Sequence, residues 1–258
     1  MSEWNAESYE RVSDPQVGWA APVLDRLPLR GDETVVDAGC GTGRVTRMLA
    51  ERLPRGRVIA VDGSLSMVEE ARRRLADLAP RVEVRHSDLL ALTVPEPVDA
   101  ILSTATFHWI VDHPALFARL HDALAPGGRL VAQCGGHGNI ERVLQAAAAI
   151  GRLPAYSPHL AGFENRILFA DGPTTVLRLE AAGFADARAW LEPAPVHLQD
   201  LATGTEFLAT VVLRRHLEEL PENLREPYAR DVARRLRGGK RRVPLDYVRL
   251  NLEARRPS

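Results

Sequence analysis

The stretch Val35-Val-Asp-Ala-Gly-Cys-Gly-Thr-Gly43 constrains the fold of this chain more than any other. An apolar run ends in three glycines separated by single residues. Behind them, Val45, Met48, Leu49 and Leu53 recur at helical spacing. A strand that feeds a helix through such a loop is the first half of a βαβ unit, and repeated βαβ units build a parallel sheet. The glycines permit positive φ and let a ligand lie against bare backbone. The helix N-terminus behind them offers unpaired N–H groups.

The alternation continues along the chain. Residues 57–62 read as a second strand, 64–78 as a helix with Ser64 as N-cap, 81–88 as a third strand and 98–105 as a fourth. A helix over 113–124 carries Pro114 near its start and is closed by the breaker Ala125-Pro-Gly-Gly128 before a fifth strand at 129–136. Past Gly138 a helix over 139–151 precedes an irregular stretch, 152–173, of the kind that serves as a lid or binding loop. A helix over 173–184, a sixth strand at 187–193, a pair of charged helices across about 199–238 and an alternating last strand at 244–256 complete the reading. The expectation is one α/β domain with a doubly wound, mostly parallel sheet. It divides into an N-terminal helical cap (1–30), a cofactor-binding core (31–136), a lid insertion (137–172) and a C-terminal half (173–258).

Bulk properties exclude several classes. A net charge of -1 over 258 residues gives no support for nucleic acid or an anionic membrane as partner. The basic run from Ala233 to Arg242 reads as a solvated helix end followed by a Gly-Gly turn, with an anion-binding role as the alternative. Cys40 and Cys134, far apart, form neither a disulfide framework nor a zinc site and fit a reducing cytoplasm. The polar N-terminus reads as neither signal peptide nor anchor, and no apolar run approaches the roughly 20 residues of a membrane span. A cytoplasmic protein is expected, monomer or homodimer.

Two phosphate-binding readings of the glycine loop are poor. A dinucleotide loop wants Gly or Ala where Arg44 stands. A P-loop ends in Gly-Lys-Ser/Thr, whereas this one ends in Gly43-Arg-Val. Asp37 would repel a pyrophosphate and suits a ligand with a cationic end. Asp62 ends the second strand, where a carboxylate can accept both hydroxyls of a ribose. Asp88 ends the third, placed to meet an adenine amino group. Capping or turn roles compete for each aspartate singly, but three acids at three successive strand ends face one crevice.

These pieces, with Met67, the APGG turn and their order, resemble a class I S-adenosylmethionine-dependent methyltransferase over about Glu33 to Gly136. The wider frame, from WNAESYERVSDPQVGW through TFHWIVDHPALF to YVRLNLEAR, is similar to the trans-aconitate methyltransferase-like subgroup. The resemblance implies a seven-stranded sheet with an antiparallel last strand and S-adenosyl-L-methionine as cofactor. It implies that Asp37, Ala38, Gly39, Gly41 and Gly43 hold the methionine part, Asp62 the ribose, Gly63 and Met67 the faces of the adenine, and Asp88 with Leu89 its edge. Thr104 would meet the methionine end, and Tyr9 and Gln16 would belong to a helix folding over the cofactor. The subgroup often carries a tryptophan before Phe169-Ala170, where this chain has Asn165-Arg-Ile-Leu168.

Methyl transfer from a sulfonium is an in-line displacement, so alignment of the groups supplies most of the catalysis, roughly 7–11 kcal/mol. A carboxylate acceptor needs no base, whereas a hydroxyl or carbon acceptor wants one. His108 is the candidate for that base, or for a substrate hydrogen bond, or for a ring that only fills space. Phe107, Trp109 and His137 are the other candidate substrate contacts. Asp112 is expected as the N-cap of the next helix, and Asp112 with His113 lacks the partners of a metal site. O-methylation of a carboxylate or hydroxyl is the leading expectation. C- or N-methylation, or cofactor binding without catalysis, stand as alternatives.

Overall fold

The computed structural model describes residues 14–258, with side chains from Trp19 onward. Helix α1 (Asp14–Asp25) leads into strand β1 (Thr34–Ala38), helix α2 (Arg44–Glu51), β2 (Arg57–Asp62), α3 (Leu65–Arg74), β3 (Val82–His86) and β4 (Val98–Thr104). A single 3-10 turn, Phe107–Trp109, precedes α4 (His113–Ala123) and β5 (Leu124–Gly135). Then come α5 (Glu141–Gly151), α6 (Ser157–Leu160), α7 (Gly172–Ala181), β6 (Ala185–Pro193) and β7 (Val196–Leu198). Helix α8 (Leu201–Phe207), a π-helical turn (Leu208–Val212), α9 (Arg214–Glu218), α10 (Glu222–Arg237), β8 (Val243–Leu245) and β9 (Val248–Arg255) end the chain.

Seven strands form one sheet in the order β3-β2-β1-β4-β5-β9-β6. The pairs among β1 to β5 are parallel, and β9 runs antiparallel between β5 and β6. This is the expected doubly wound sheet with its late strand reversed. The order turns back between β1 and β4, so the helices that follow them cover opposite faces of the sheet and leave a crevice at the carboxyl ends of the strands.

Strand alternation sorts the core into two layers. Val36, Ala38, Ile101 and Leu130 bury against Leu116, Phe117 and Leu120 of α4, while Val35, Ala60 and Leu102 bury against Val23, Leu24, Leu49 and Leu53. A third cluster joins Val143 and Ala147 of α5, Phe207, Leu208, Tyr228 and Val232 with β7 and β8. It caps the crevice, because Ile140, Val211 and Tyr247 belong both to it and to the crevice wall.

Three local readings change. The APGG breaker does not separate α4 from β5. It is a bulge inside the strand, with Val98 opposite Leu124 and then Ala100 opposite Arg129. The last alternating stretch is two strands rather than one. Asp246 breaks it, its carboxylate accepting from Arg142 N–H (2.9 Å) and its carbonyl from Ile140 N–H (2.9 Å). Ser64 stands at the N-cap of α3 but its hydroxyl meets Ser66 Oγ (3.0 Å) rather than capping. The basic run is the end of α10 with Gly238 as a left-handed cap, and Arg234 and Arg235 face solvent.

Candidate active site

The crevice is built where the loops after β1 and β4 touch. Gly39 N–H and Cys40 N–H both donate to Val61 O (2.8 and 3.0 Å), which pins the glycine loop to β2. Thr106 Oγ donates to Gly39 O at 3.2 Å and ties it to the β4 loop. Gly39 has φ +86°, and a Cβ there would be driven into the Thr106 side chain. Gly41, at φ +53°, has nothing within 4 Å of where a Cβ would lie, so it presents bare backbone. Gly43 has a different task. It is the left-handed N-cap of α2, and its missing Cβ makes room for Leu75 at 2.8 Å.

Two adjoining cavities share Gly39, Thr106, Trp109 and Val212. One continues past Asp62, Gly63, Leu89 and Ile110. The other runs past Gly41, Met67, Thr104 and Ala105 toward His108 and Arg249.

Asp62 organises the first of them. Its Oδ2 accepts from Gly41 N–H and its Oδ1 from Ser64 N–H, both at 2.9 Å. Each oxygen keeps a second lone pair. Burial raises its pKa, opposed by those backbone donors. Asp37 lies elsewhere than the resemblance implied. Its position in β1 turns the side chain with Val35 toward α2, so it is fully buried beneath the loop and outside both walls. Thr46 Oγ donates to its Oδ2 (2.6 Å), while Oδ1 is buried with no partner. Burial pushes this carboxyl up to about 6, with Asp62 adding to the rise and Thr46 opposing it.

Several other expected site residues separate. Ala38 is buried, contributing its carbonyl to Ser103 Oγ (2.6 Å). Asp88 is exposed and caps the short turn after β3, accepting from Leu90 N–H at 2.9 Å. Only its neighbour Leu89 enters the wall. Tyr9 lies outside the described residues, and Gln16 is described only as a backbone position of α1.

The 3-10 turn splits Phe107, His108 and Trp109 because three residues per turn send successive side chains in three directions. Phe107 goes into the core, edge-on to Phe117 at 6.2 Å, and drops out as a substrate contact. His108 and Trp109, 4.9 Å apart, line the cavity. His137 is exposed and outside both walls, because the chain leaves the sheet after Gly136 and His137 N–H is drawn to Ala170 O (2.9 Å). Asp112 caps α4, accepting from Ala115 N–H (3.0 Å), and His113 Nε2 lies 3.1 Å from Phe107 O.

His108 Nδ1 accepts from Gly135 N–H at 3.3 Å. In a neutral imidazole the proton then resides on Nε2, which is a donor. Burial holds the ring's pKa down to about 3, with Arg249 and His113 as lesser causes. The ring stacks on Phe169 at 5.9 Å. His108 is thus a neutral hydrogen-bond donor near neutral pH.

The sequence reading missed Asn139, Phe169, Val211, Tyr247 and Arg249 in the wall. Arg249, buried on β9, donates from Nε to Gln133 Oε1 (3.3 Å), with its guanidinium 4.6 Å over the Trp19 ring. A buried cation in the middle of an alternating strand was the available signal. The π-helical turn that brings Val211 and Val212 to the crevice has no pattern of its own in sequence.

A family model described as a methyltransferase domain matches residues 35–128. A trans-aconitate 2-methyltransferase of Methylobacterium radiotolerans is 33% identical over 228 residues, covering 86% of this chain and 85% of that protein. One from Variovorax paradoxus is 31% identical over 242 residues, covering 92% and 90%. Among solved structures, Haemonchus contortus phosphoethanolamine N-methyltransferase 2, in complex with phosphomonomethylethanolamine and S-adenosylhomocysteine, aligns with a TM-score of 0.62. It is 18% identical and covers 98% of this chain and 57% of that one, a likeness of fold.

Proposed function

Because this chain belongs to the trans-aconitate methyltransferase-like family of S-adenosylmethionine-dependent methyltransferases, we propose that it methylates a carboxylate oxygen of a small molecule. It is a methyltransferase, its cofactor is S-adenosylmethionine and its substrate is a small molecule. The observation that carries the choice of a carboxylate is the hydrogen bond from Gly135 N–H to His108 Nδ1. A neutral ring whose Nδ1 is already occupied is a poor acceptor for a hydroxyl proton and a good donor to an anion that needs no base.

The residues present fit the cofactor. Asp62 offers two preoriented oxygens to a ribose diol, and Gly39 and Gly41 offer bare backbone beside them. The unpartnered Oδ1 of Asp37 leaves the floor of the loop electronegative, which favours a cationic end. When bound, S-adenosylmethionine supplies a methyl group on a sulfonium that leaves as a neutral thioether. Gly63 and Leu89 would border the adenosine. Thr104 would border the methionine end, as would Met67, which lines the other cavity rather than the expected adenine face. His108 Nε2–H and Arg249 would hold the acceptor carboxylate. Residues 137–172 would act as the lid, with Ile167 and Phe169 in the wall excluding water.

The test is methyl-ester formation from carboxylic acids, read by mass spectrometry, in two variants at one position. His108→Gln keeps an N–H donor but cannot serve as a base, and it is expected to stay within about tenfold of wild-type turnover. His108→Phe removes the donor and is expected to lose roughly 10–100-fold, the range for one hydrogen bond to a charged group. Equal loss in both variants would restore the base role.

Asp37 makes cofactor affinity pH-dependent. With a pKa near 6 it is largely protonated at pH 5, and a cationic ligand favours the ionised form. Binding below pH 6 therefore releases a proton, and affinity for S-adenosylmethionine is expected to fall by up to about tenfold from pH 7 to pH 5. S-adenosylhomocysteine, without the sulfonium, should show a smaller fall. Calorimetry giving equal affinities at the two pH values removes this linkage.

A further inference from the structure

On the reading that the acceptor is a carboxylate, we infer that the substrate is a monocarboxylic acid with an apolar body. Its carboxylate would be held by a donor cluster built on Gly135. Four side chains, three of them from distant parts of the chain, converge on this one residue. Gly135 N–H donates to His108 Nδ1 (3.3 Å). Arg249 is its direct cross-strand partner on β9, so the two share a face of the sheet. A Cβ at Gly135 would come within 2.7 Å of the Phe169 ring and 2.8 Å of Asn139 Nδ2. The missing side chain is what lets the cluster close.

The polar ends of the cluster are donors. Asn139 Oδ1 accepts from Val248 N–H (2.9 Å), which assigns Nδ2 to the end that lies over Gly135. His108 offers Nε2–H, and Arg249 adds a cation whose Nε is held by Gln133. No Asp or Glu stands in this cavity wall among the described residues. A carboxylate taken out of water needs several donors and an opposite charge, and this is such a set.

Beyond the cluster the wall is mainly apolar, with Trp109, Ile140, Ile167 and Val211, and its remaining polar side chains are the uncharged Thr104, Thr106 and Tyr247. Among the described residues Arg249 is the one cation in this wall; Arg214 and Arg215 line the adjoining cavity, where Arg215 donates to Arg166 O and Arg214 to Glu218 Oε1, each at 3.0 Å. A second or third carboxylate would be desolvated against Ile140, Ile167 or Val211, the arrangement that penalises buried charge most. An alkyl or aryl body would instead bury against them.

The experiment compares octanoate and cinnamate with trans-aconitate as methyl acceptors, with S-adenosylhomocysteine affinity measured in parallel. Wild type is expected to esterify a monocarboxylate with kcat/KM at least tenfold above trans-aconitate. Asn139→Asp retains the acceptor for Val248 N–H and places an anion in the cluster. It should reduce turnover of the acids at least tenfold while S-adenosylhomocysteine affinity stays within about twofold. Ile167→Arg, a half-buried wall position, should shift the preference at least tenfold toward trans-aconitate. These two variants leave Arg249 and its strand contacts intact, so they read recognition rather than folding. Preference of wild type for trans-aconitate overturns the inference and leaves carboxylate methylation standing. Cofactor binding with no ester from any of the three acids overturns both.

Discussion

Gly39→Ala is expected to abolish S-adenosylhomocysteine binding by calorimetry, at least 100-fold, and to lower the melting temperature. Two costs coincide at this residue. Its φ of +86° lies in the left-handed region, which costs an L-residue roughly 1–2 kcal/mol. The added Cβ is also driven into Thr106, whose hydroxyl bonds Gly39 O (3.2 Å) and Thr104 O (3.1 Å), and overpacking of this kind costs roughly 1–3 kcal/mol. The loop cannot move away freely, because Gly39 and Cys40 are both held by Val61 O. For a chain of this size the sum predicts a fall of roughly 5–15 °C. Gly41→Ala is the control. Its φ of +53° carries the same left-handed cost of roughly 1–2 kcal/mol, but nothing lies within 4 Å of its Cβ, so it should lose only that part of the stability while the methyl group intrudes on the ligand surface. If the two variants melt alike, steric closure between the β1 and β4 loops is not what glycine at position 39 serves.

Asp62→Ala is expected to weaken S-adenosylhomocysteine binding by about 100-fold or more. A hydrogen bond to a charged group contributes roughly 1.5–3 kcal/mol, so losing the two proposed ribose contacts would amount to at least about 3 kcal/mol. The same carboxylate also accepts from Gly41 and Ser64 N–H, so part of the loss would come from a loosened loop. The two contributions separate by comparing S-adenosylhomocysteine with its 2′-deoxy analogue. Wild type should favour the hydroxylated ligand, and Asp62→Ala should lose that preference even where residual affinity remains. A variant that still discriminates between the two ligands would place ribose recognition on another residue.

His108 shows where reading residues in a row stops being informative. Its neighbours in sequence suggested a base, a donor or a filler with no means of choosing. The choice turned on Gly135 N–H, which is far away along the chain and reaches Nδ1 only once β4 and β5 are paired. Phe107 beside it went to the core and His137 to solvent for equally non-local reasons. Asp112 is the opposite case. A capping side chain bonds N–H groups of its own first turn, so sequence spacing alone identified it.

The three acids at strand ends divide along the same line. That Asp37, Asp62 and Asp88 stand at the carboxyl ends of β1, β2 and β3 was legible, because strand and loop signals are local. Which of them lines a cavity was not. Asp62 does so, Asp37 is turned under the loop toward Thr46, and Asp88 caps a short turn in solvent. Side-chain direction depends on which face of the sheet a given helix covers, and that is a property of packing.

The sequence by itself determined the alternation of strands and helices from β1 to β6, the glycine loop, the Asp112 cap and, through the resemblance these carry, the cofactor. Each depends on interactions spanning a few residues, or on a motif whose spacing survives intact. Only the tertiary structure assembled the His108 end of the crevice. His108, Asn139, Phe169 and Arg249 meet over Gly135 because β9 inserts antiparallel beside β5 in a register that puts Arg249 opposite that glycine. A slip of one residue would turn Arg249 to the other face of the sheet. No local pattern in the chain encodes that register, which is set by burial along the whole of both strands.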